Sequence, residues 1–151
     1  MVKYAADLVR KGFPRQEIVK KIKAMREQSG IVFSVANMDA LRRSGRIGAL
    51  RQSVGTILNI RPILLCRDGV IVSDGVVRGK NEQVRELVAR VPENAAEVIV
   101  QATGTGRNMM EELEKQLKKR VPHAVRTSRV IGPVIGINIG LDSVGIAWIC
   151  D

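Results

Sequence analysis

The sequence predicts an α+β fold, an α/β sandwich in which helices pack on a mixed and largely antiparallel sheet, and three observations carry that expectation. Two apolar runs, "RPILLC" and "VIVSDGVVRG", flank "RDG" and read as hairpin strands, which pair antiparallel. Elsewhere, β-branched runs alternate with stretches of helical period, and such strand-helix-strand order allows crossover connections. The first thirty residues carry helical period only, so helices precede the sheet.

Each element follows from local chemistry. In residues 1–30, Leu8 and Val9, then Ile18, Val19, Ile22 and Met25, recur at helical spacing, while Gly12 and Pro14 divide the stretch into two helices and Gly30 can close the second. "IVFSVA" is β-branched, aromatic and short, giving a strand at 31–35. Asn37 suits the N-cap of a short helix, "MDALRRS", that stops at Gly45. A second helix at 49–58 puts Leu50, Val54, Ile57 and Leu58 on one stripe. The hairpin strands follow, with Asp68-Gly69 and Asp74-Gly75 both reading as turns. "NEQVRELVARV" is an amphipathic helix capped by Asn81 and ended by Pro92, and "EVIVQAT" is a strand. "GTGRNMMEELEKQLKKRV" runs from a glycine-rich turn into a helix with acids early and bases late, as the helix dipole prefers. The last third, with glycines at 132, 136, 140 and 145, reads as two or three strands with tight bends, one of them at 134–139.

With 151 residues and no linker-like stretch, one domain over 1–151 is expected: leading helices at 1–30, sheet and helices at 31–151. No apolar run approaches the roughly 20 residues that cross a bilayer, which points to the cytoplasm. Cys66 and Cys150 stand singly in apolar stretches and read as small core residues. The net charge of +10 raises nucleic-acid binding, but basic residues recur along the whole chain and only Tyr4, Phe13, Phe33 and Trp148 could stack on a base. A solvated basic surface fits better.

Enzymatic chemistry finds little to work with. His123 is the only histidine, and with no paired cysteines no metal site and no metal cofactor are expected. No serine stands in a nucleophile-elbow context, and Glu111, Glu112 and Glu114 sit together on one helix instead of forming an acid-base pair. "TGTGRNM" has Met109 where a dinucleotide fingerprint needs its third glycine, so an ordinary strand-to-helix turn is expected, with an anion site as the alternative. "GPVIGINIGLDSVG" is richer. Its glycines let backbone approach backbone or ligand closely, and Asn138 lies between Ile137 and Ile139, a mixture that a partly buried ligand head group would meet.

"LRRSGRIG" brackets Arg46 between Gly45 and Gly48, at a break between two helices. Together with the rest of "FSVANMDALRRSGRIGALRQSVGTILNIRPILLCRDGVI", residues 33–71, this motif resembles the DegV family of bacterial fatty-acid-binding proteins, specifically their C-terminal domain. "DLVRKGFPRQEIVKKI", Arg78 and "IGPVIGINIG" extend the likeness over essentially the whole chain.

The resemblance implies a two-domain carrier in which a long-chain fatty acid lies between the domains and is presented, in some members, to a fatty-acid kinase. It implies that Arg46 faces the carboxylate. The family's late "His-Thr-Gly-Pro-Gly" turn is altered here: Asn138 stands at the histidine, Ile139 at the threonine, Leu141 at the proline and Asp142 at the second glycine, with Gly140 kept. Asn donates hydrogen bonds but carries no charge. The serine- and threonine-bearing N-terminal domain has no counterpart in this sequence.

The leading expectation is therefore a long-chain fatty-acid-binding module, not an enzyme. Arg46 and Asn138 would meet the head group, and Ile57, Ile63, Ile137 and Ile139 would form an apolar wall. Its partners would be the fatty acid, a DegV-type N-terminal domain on another chain or a fatty-acid kinase, and a second copy covering an exposed apolar face. A basic interaction or nucleic-acid-binding domain that has lost lipid binding is the alternative.

Overall fold

The computed structural model describes residues 1–36, 38–45 and 60–150. Arg46, Ile57, the N-cap expected at Asn37 and the helix expected at 49–58 lie outside the described residues. The elements are α1 (Val2–Arg10), α2 (Arg15–Glu27), β1 (Ser29–Ser34), α3 (Asp39–Arg43), β2 (Ile60–Arg67), β3 (Val70–Arg78), α4 (Gly79–Ala89), β4 (Ala95–Ala102), α5 (Arg107–Arg120), β5 (Val125–Val130), α6 (Pro133–Ile139) and β6 (Val144–Cys150). Gly12 and Gly45 end α1 and α3 with φ of 76° and 70°, values a glycine adopts without strain.

Six strands form one sheet in the order β3-β2-β1-β6-β4-β5. Every neighbouring pair is antiparallel except β4 and β5, which run parallel because α5 carries the chain over between them. This is the mixed, largely antiparallel sheet expected. The last strand, β6, inserts between β1 and β4, so the centre of the sheet is assembled from the two ends of the chain.

Side-chain alternation gives the sheet two different faces. On one, Val32, Ile63, Val98, Val100, Val144 and Ile146 meet Val84 and Leu87 of α4 and Leu113 and Leu117 of α5, all nearly solvent-free. The buried Gln83 of α4 donates from Nε2 to Ser34 Oγ at 2.8 Å within this layer. On the opposite face, Leu64 and the partly buried Phe33 and Ile71 join a smaller cluster with Val35, Met38 and Leu41 around α3 and Ile139 of α6.

Several local expectations are corrected. Residues 134–139 form helix α6, not a strand. Pro133 opens it after an extended Gly132, Gly140 closes it at φ 84°, and Gly136 and Gly140 N–H donate to Gly132 O and Gly136 O at 3.0 and 2.8 Å. The β-branched content suggested a strand, but the proline-first, glycine-last boundary prevails. Asp74-Gly75 is no turn. Val76 pairs with Pro62 and Ser73 with Leu64, so Asp74 and Gly75 together oppose Ile63 in a bulge. Asp68-Gly69, with φ of 52° and 79°, is the real hairpin turn.

Arg90, just past α4, clamps the bulge: Nε donates to Asp74 Oδ2 at 2.6 Å, Nη2 to Asp74 O at 2.7 Å, and Nη1 to Glu86 O and Oε2 at 2.8 and 3.0 Å. Desolvation pulls the Arg90 pKa down, but the bonds to Asp74 and Glu86 outweigh it and leave the guanidinium raised. The α4 helix begins two residues before Asn81, with Glu82 accepting the Arg78 N–H at 2.7 Å. Gly30 lies in β1 instead of closing α2, which stops at Glu27. A Cβ on Gly30 would stand 2.3 Å from Trp148 Cζ2, so the indole occupies the space a side chain would need. Cys66 is exposed and Cys150 half-buried, so neither is a sealed core residue.

Candidate functional site

Two features stand toward opposite ends of β1. The first is a corner built around the end of β1. Ser34 pairs with Ile63 on one side and Val144 on the other, so two residues further out along β2 and β6 lie Arg61 and Asp142. They bridge that end: Arg61 Nη1 and Nη2 donate to Asp142 Oδ2 at 3.3 and 3.2 Å, with the side chains 17% and 26% exposed. Asp142 has φ of 63°, a conformation that glycine, asparagine and aspartate tolerate.

A buried hydroxyl network fixes the turn that carries Asp142. Thr103 Oγ1 accepts the Ser143 N–H at 2.9 Å and donates to Gly140 O at 3.1 Å, Ser143 Oγ donates to Ile139 O at 2.9 Å, and Thr103 N–H donates to Ser143 O at 2.9 Å. The loop after β4 thereby holds the end of α6, and Gly140 sits against the Ala40 methyl of α3. Gly106 fits the same junction tightly, since a Cβ there would lie 3.0 Å from Ser143 O. The "TGTG" stretch is thus a structural junction, a short 3₁₀ turn leading into α5.

The second feature is an open cavity of about 930 Å³ on the sheet face opposite α4 and α5. Its lining includes Cys66, Ile31, Ala147 and Ile99. The strand registers place Ile31, Ala147 and Ile99 side by side across β1, β6 and β4. Arg26, Glu27, Asp68 and Glu97 give the groove a polar rim at the Ser29 end of β1. In the other direction, β1 leads past Phe33 to the Arg61–Asp142 corner. The length of β1, six residues, makes that run about 17–20 Å.

The residues singled out from sequence divide between these features. Ile139 is buried in the small cluster beside α3, whereas Ile137 is 75% exposed. In a strand the two would share a face, but two residues along a helix turns the side chain by about 200°. Ile63 is solvent-free in the main core and faces α4, so Ile63, Ile137 and Ile139 do not form one wall. Asn138 Nδ2 donates to Val134 O of its own helix at 2.9 Å. Exposed Val134, Ile135, Ile137 and Leu141 make an apolar patch on and just after α6.

Sequence reasoning missed the groove floor and Arg61. The alternation of Ile31 with Phe33 and of Ala147 with Ile149 was a usable signal for the floor. For an ion pair between residues 81 positions apart, no local signal exists. Among the described residues no group of His, Cys, Asp or Glu is disposed to hold a metal, and no helix is long and apolar enough to cross a membrane.

The whole chain, residues 1–151, matches the family model described as an uncharacterised protein of the DegV family. A DegV domain-containing protein of Halalkalibacterium halodurans is 32% identical over 150 residues, which are 95% of this chain and 52% of that protein. The chain spans about half the length of the curated relatives it matches. Two solved structures share the fold over 99% of the chain. One is the fatty acid kinase (Fak) B3 protein of Streptococcus pneumoniae, loaded with linoleic acid, with a TM-score of 0.86 at 20% identity and 54% of its length covered. The other, described by its fatty acid binding, is a DegV family protein of Thermus thermophilus, with a TM-score of 0.85 at 23% identity and 55% covered. Since the family match runs from the first residue to the last and the fold agrees with it, this chain belongs to the DegV family.

Proposed function

We propose that this chain is a fatty-acid-binding module of the cytoplasm, a carrier half without chemistry of its own. The observation that carries this reading is the apolar groove whose floor is the row of Ile31, Ala147 and Ile99. An acyl tail would lie on that floor with its carboxylate toward α3 and α6, where Arg46 and Asn138 are expected to meet it. Each enclosed CH₂ contributes about 0.8 kcal/mol, so ten of them supply about 8 kcal/mol, the scale of micromolar binding. Two protein relatives of the same fold, described by their fatty acids, support this reading over nucleic-acid binding.

The exposed patch of Val134, Ile135, Ile137 and Leu141 would dock the complementary domain that makes up the rest of a family-length protein, whether on another chain or as part of a longer one. A fatty-acid kinase acting on the presented carboxylate is the corresponding downstream partner. The test is native mass spectrometry with lipid extraction after bacterial expression, for this chain alone and co-expressed with a DegV N-terminal domain. Bound long-chain acid is expected, more of it in the co-expressed pair. Ile137→Glu should break the pairing while leaving this chain folded. Absence of acyl chains from both preparations would remove the lipid reading.

A further inference from the structure

We infer that Gln101 and Arg129 form the polar end of the acyl groove and receive the carboxylate, an assignment that rests on the fatty-acid reading above. Strand register puts both on the face of the groove floor. Ile99, which β4 contributes to the floor, lies opposite Thr127 of β5, and two residues further along each strand Gln101 lies opposite Arg129. Alternation keeps these positions on one face, while Val98 and Val100 between them belong to the main core under α4 and α5. The row through Gln101 is thus one step, about 7 Å, beyond the row of Ile31, Ala147 and Ile99.

In that next row Leu64 and Phe33 belong to the cluster beside α3 and α6, and Gly145 is bare, since a Cβ there would meet Phe33 Cβ at 2.8 Å. On the far side of Gly145 come a half-buried amide and an exposed guanidinium, side by side. Neither side chain has a hydrogen bond or ion pair among the described residues. All their donors are therefore available to a carboxylate, which can accept from both at once.

Charge along the face gives the groove a direction. At the Ser29 end Glu27, Asp68 and Glu97 stand against a single cation, Arg26. Glu97 and Gln101 are four residues apart on β4, about 13 Å, and no acid shares the row of Gln101. A fatty acid on this floor is repelled at the acidic end and held at the other, with its tail over Ile99 and Ala147. An uncharged lipid would gain nothing from that polarity.

The competing account makes Arg129 a solvated charge that guards an open edge, because β5 is the last strand of the sheet. Binding of oleic acid and of oleyl alcohol, measured by native mass spectrometry, separates the two accounts. The unaltered chain is compared with Arg129→Met, Gln101→Glu, Gln101→Arg and Lys118→Met, each alone and paired with a DegV N-terminal domain. If the pair receives the carboxylate, the unaltered chain favours the acid, and Arg129→Met weakens the acid about five- to tenfold while leaving the alcohol unchanged. Gln101→Glu, which puts an anion in the ligand's place, weakens the acid at least as much, and Gln101→Arg tightens it several-fold. Lys118→Met removes an exposed cation from α5 and alters neither ligand. Should the acid-to-alcohol ratio stay constant across the Arg129 and Gln101 variants, or fall equally in Lys118→Met, the assignment is overturned. Equal binding of acid and alcohol by the unaltered chain overturns it too but leaves the acyl groove standing. If neither ligand binds either preparation, the fatty-acid reading itself fails.

Discussion

Ala147 and Ile146 are consecutive residues of β6 that point to opposite faces of the sheet, and they separate the groove from the core in one experiment. Ala147 is half-buried on the groove floor between Ile31 and Ile99, whereas Ile146 is solvent-free in the main core under α4 and α5. Ala147→Phe places a ring where an acyl chain would lie. A ring that displaces four CH₂ groups from the floor removes about 3 kcal/mol of transfer free energy, close to two hundredfold in Kd. Because the ring grows into open space and not into a packed layer, unfolding stability should change by less than about 1 kcal/mol. Ile146→Ala does the reverse, costing about 2–5 kcal/mol of stability through lost contacts and a residual cavity. Urea unfolding supplies the stability of both variants, and titration with oleic acid followed by calorimetry supplies the affinity. Unchanged oleate affinity in a folded Ala147→Phe protein would show that the acyl chain does not use this face.

Two further outcomes follow from packing and charge. Gly30→Ala sets a methyl 2.3 Å from the Trp148 ring, so the indole must move; a loss of about 1–3 kcal/mol is expected in urea unfolding, with a shift in the emission of Trp148, the chain's single tryptophan. The hydrogen bond from Arg90 holds Glu86 below its ordinary pKa of 4.5. A carboxylate with a depressed folded-state pKa contributes stability that is present above 4.5 and lost as pH falls through the lower folded value. The urea midpoint of the unaltered protein should therefore drop on acidification below about 4.5, less steeply in Glu86→Gln, and identical pH profiles would refute that contribution.

Wherever a single segment carries the decision, the elements were legible in advance. Gly12 and Gly45 stop their helices because glycine alone takes a positive φ freely, and Asp68-Gly69 turns the hairpin for the same reason. The period of α5 and the β-branched run of β1 needed no partner to be read. The family likeness around "LRRSGRIG" was equally local, a property of consecutive residues. Asp74-Gly75 has the same turn-forming chemistry as Asp68-Gly69, yet it forms a bulge because Arg90 and the pairing with β2 hold it inside the ladder.

What tertiary structure alone decided lies in contacts between distant segments. The proline and glycine that bound 133–139 were local signals for its helix, but which of its isoleucines is buried was not: the Thr103–Ser143 network and the packing of Ile139 beside α3 turn Ile137 outward and Ile139 inward. Inserting β6 between β1 and β4 brings Ile31, Ala147 and Ile99 into one row. The same insertion brings Arg61 to Asp142. Helical period and turn chemistry act over a few residues, so a sequence can declare them singly; a groove floor and an ion pair need strands paired across the whole chain, and their register is known only once the sheet has closed around β6.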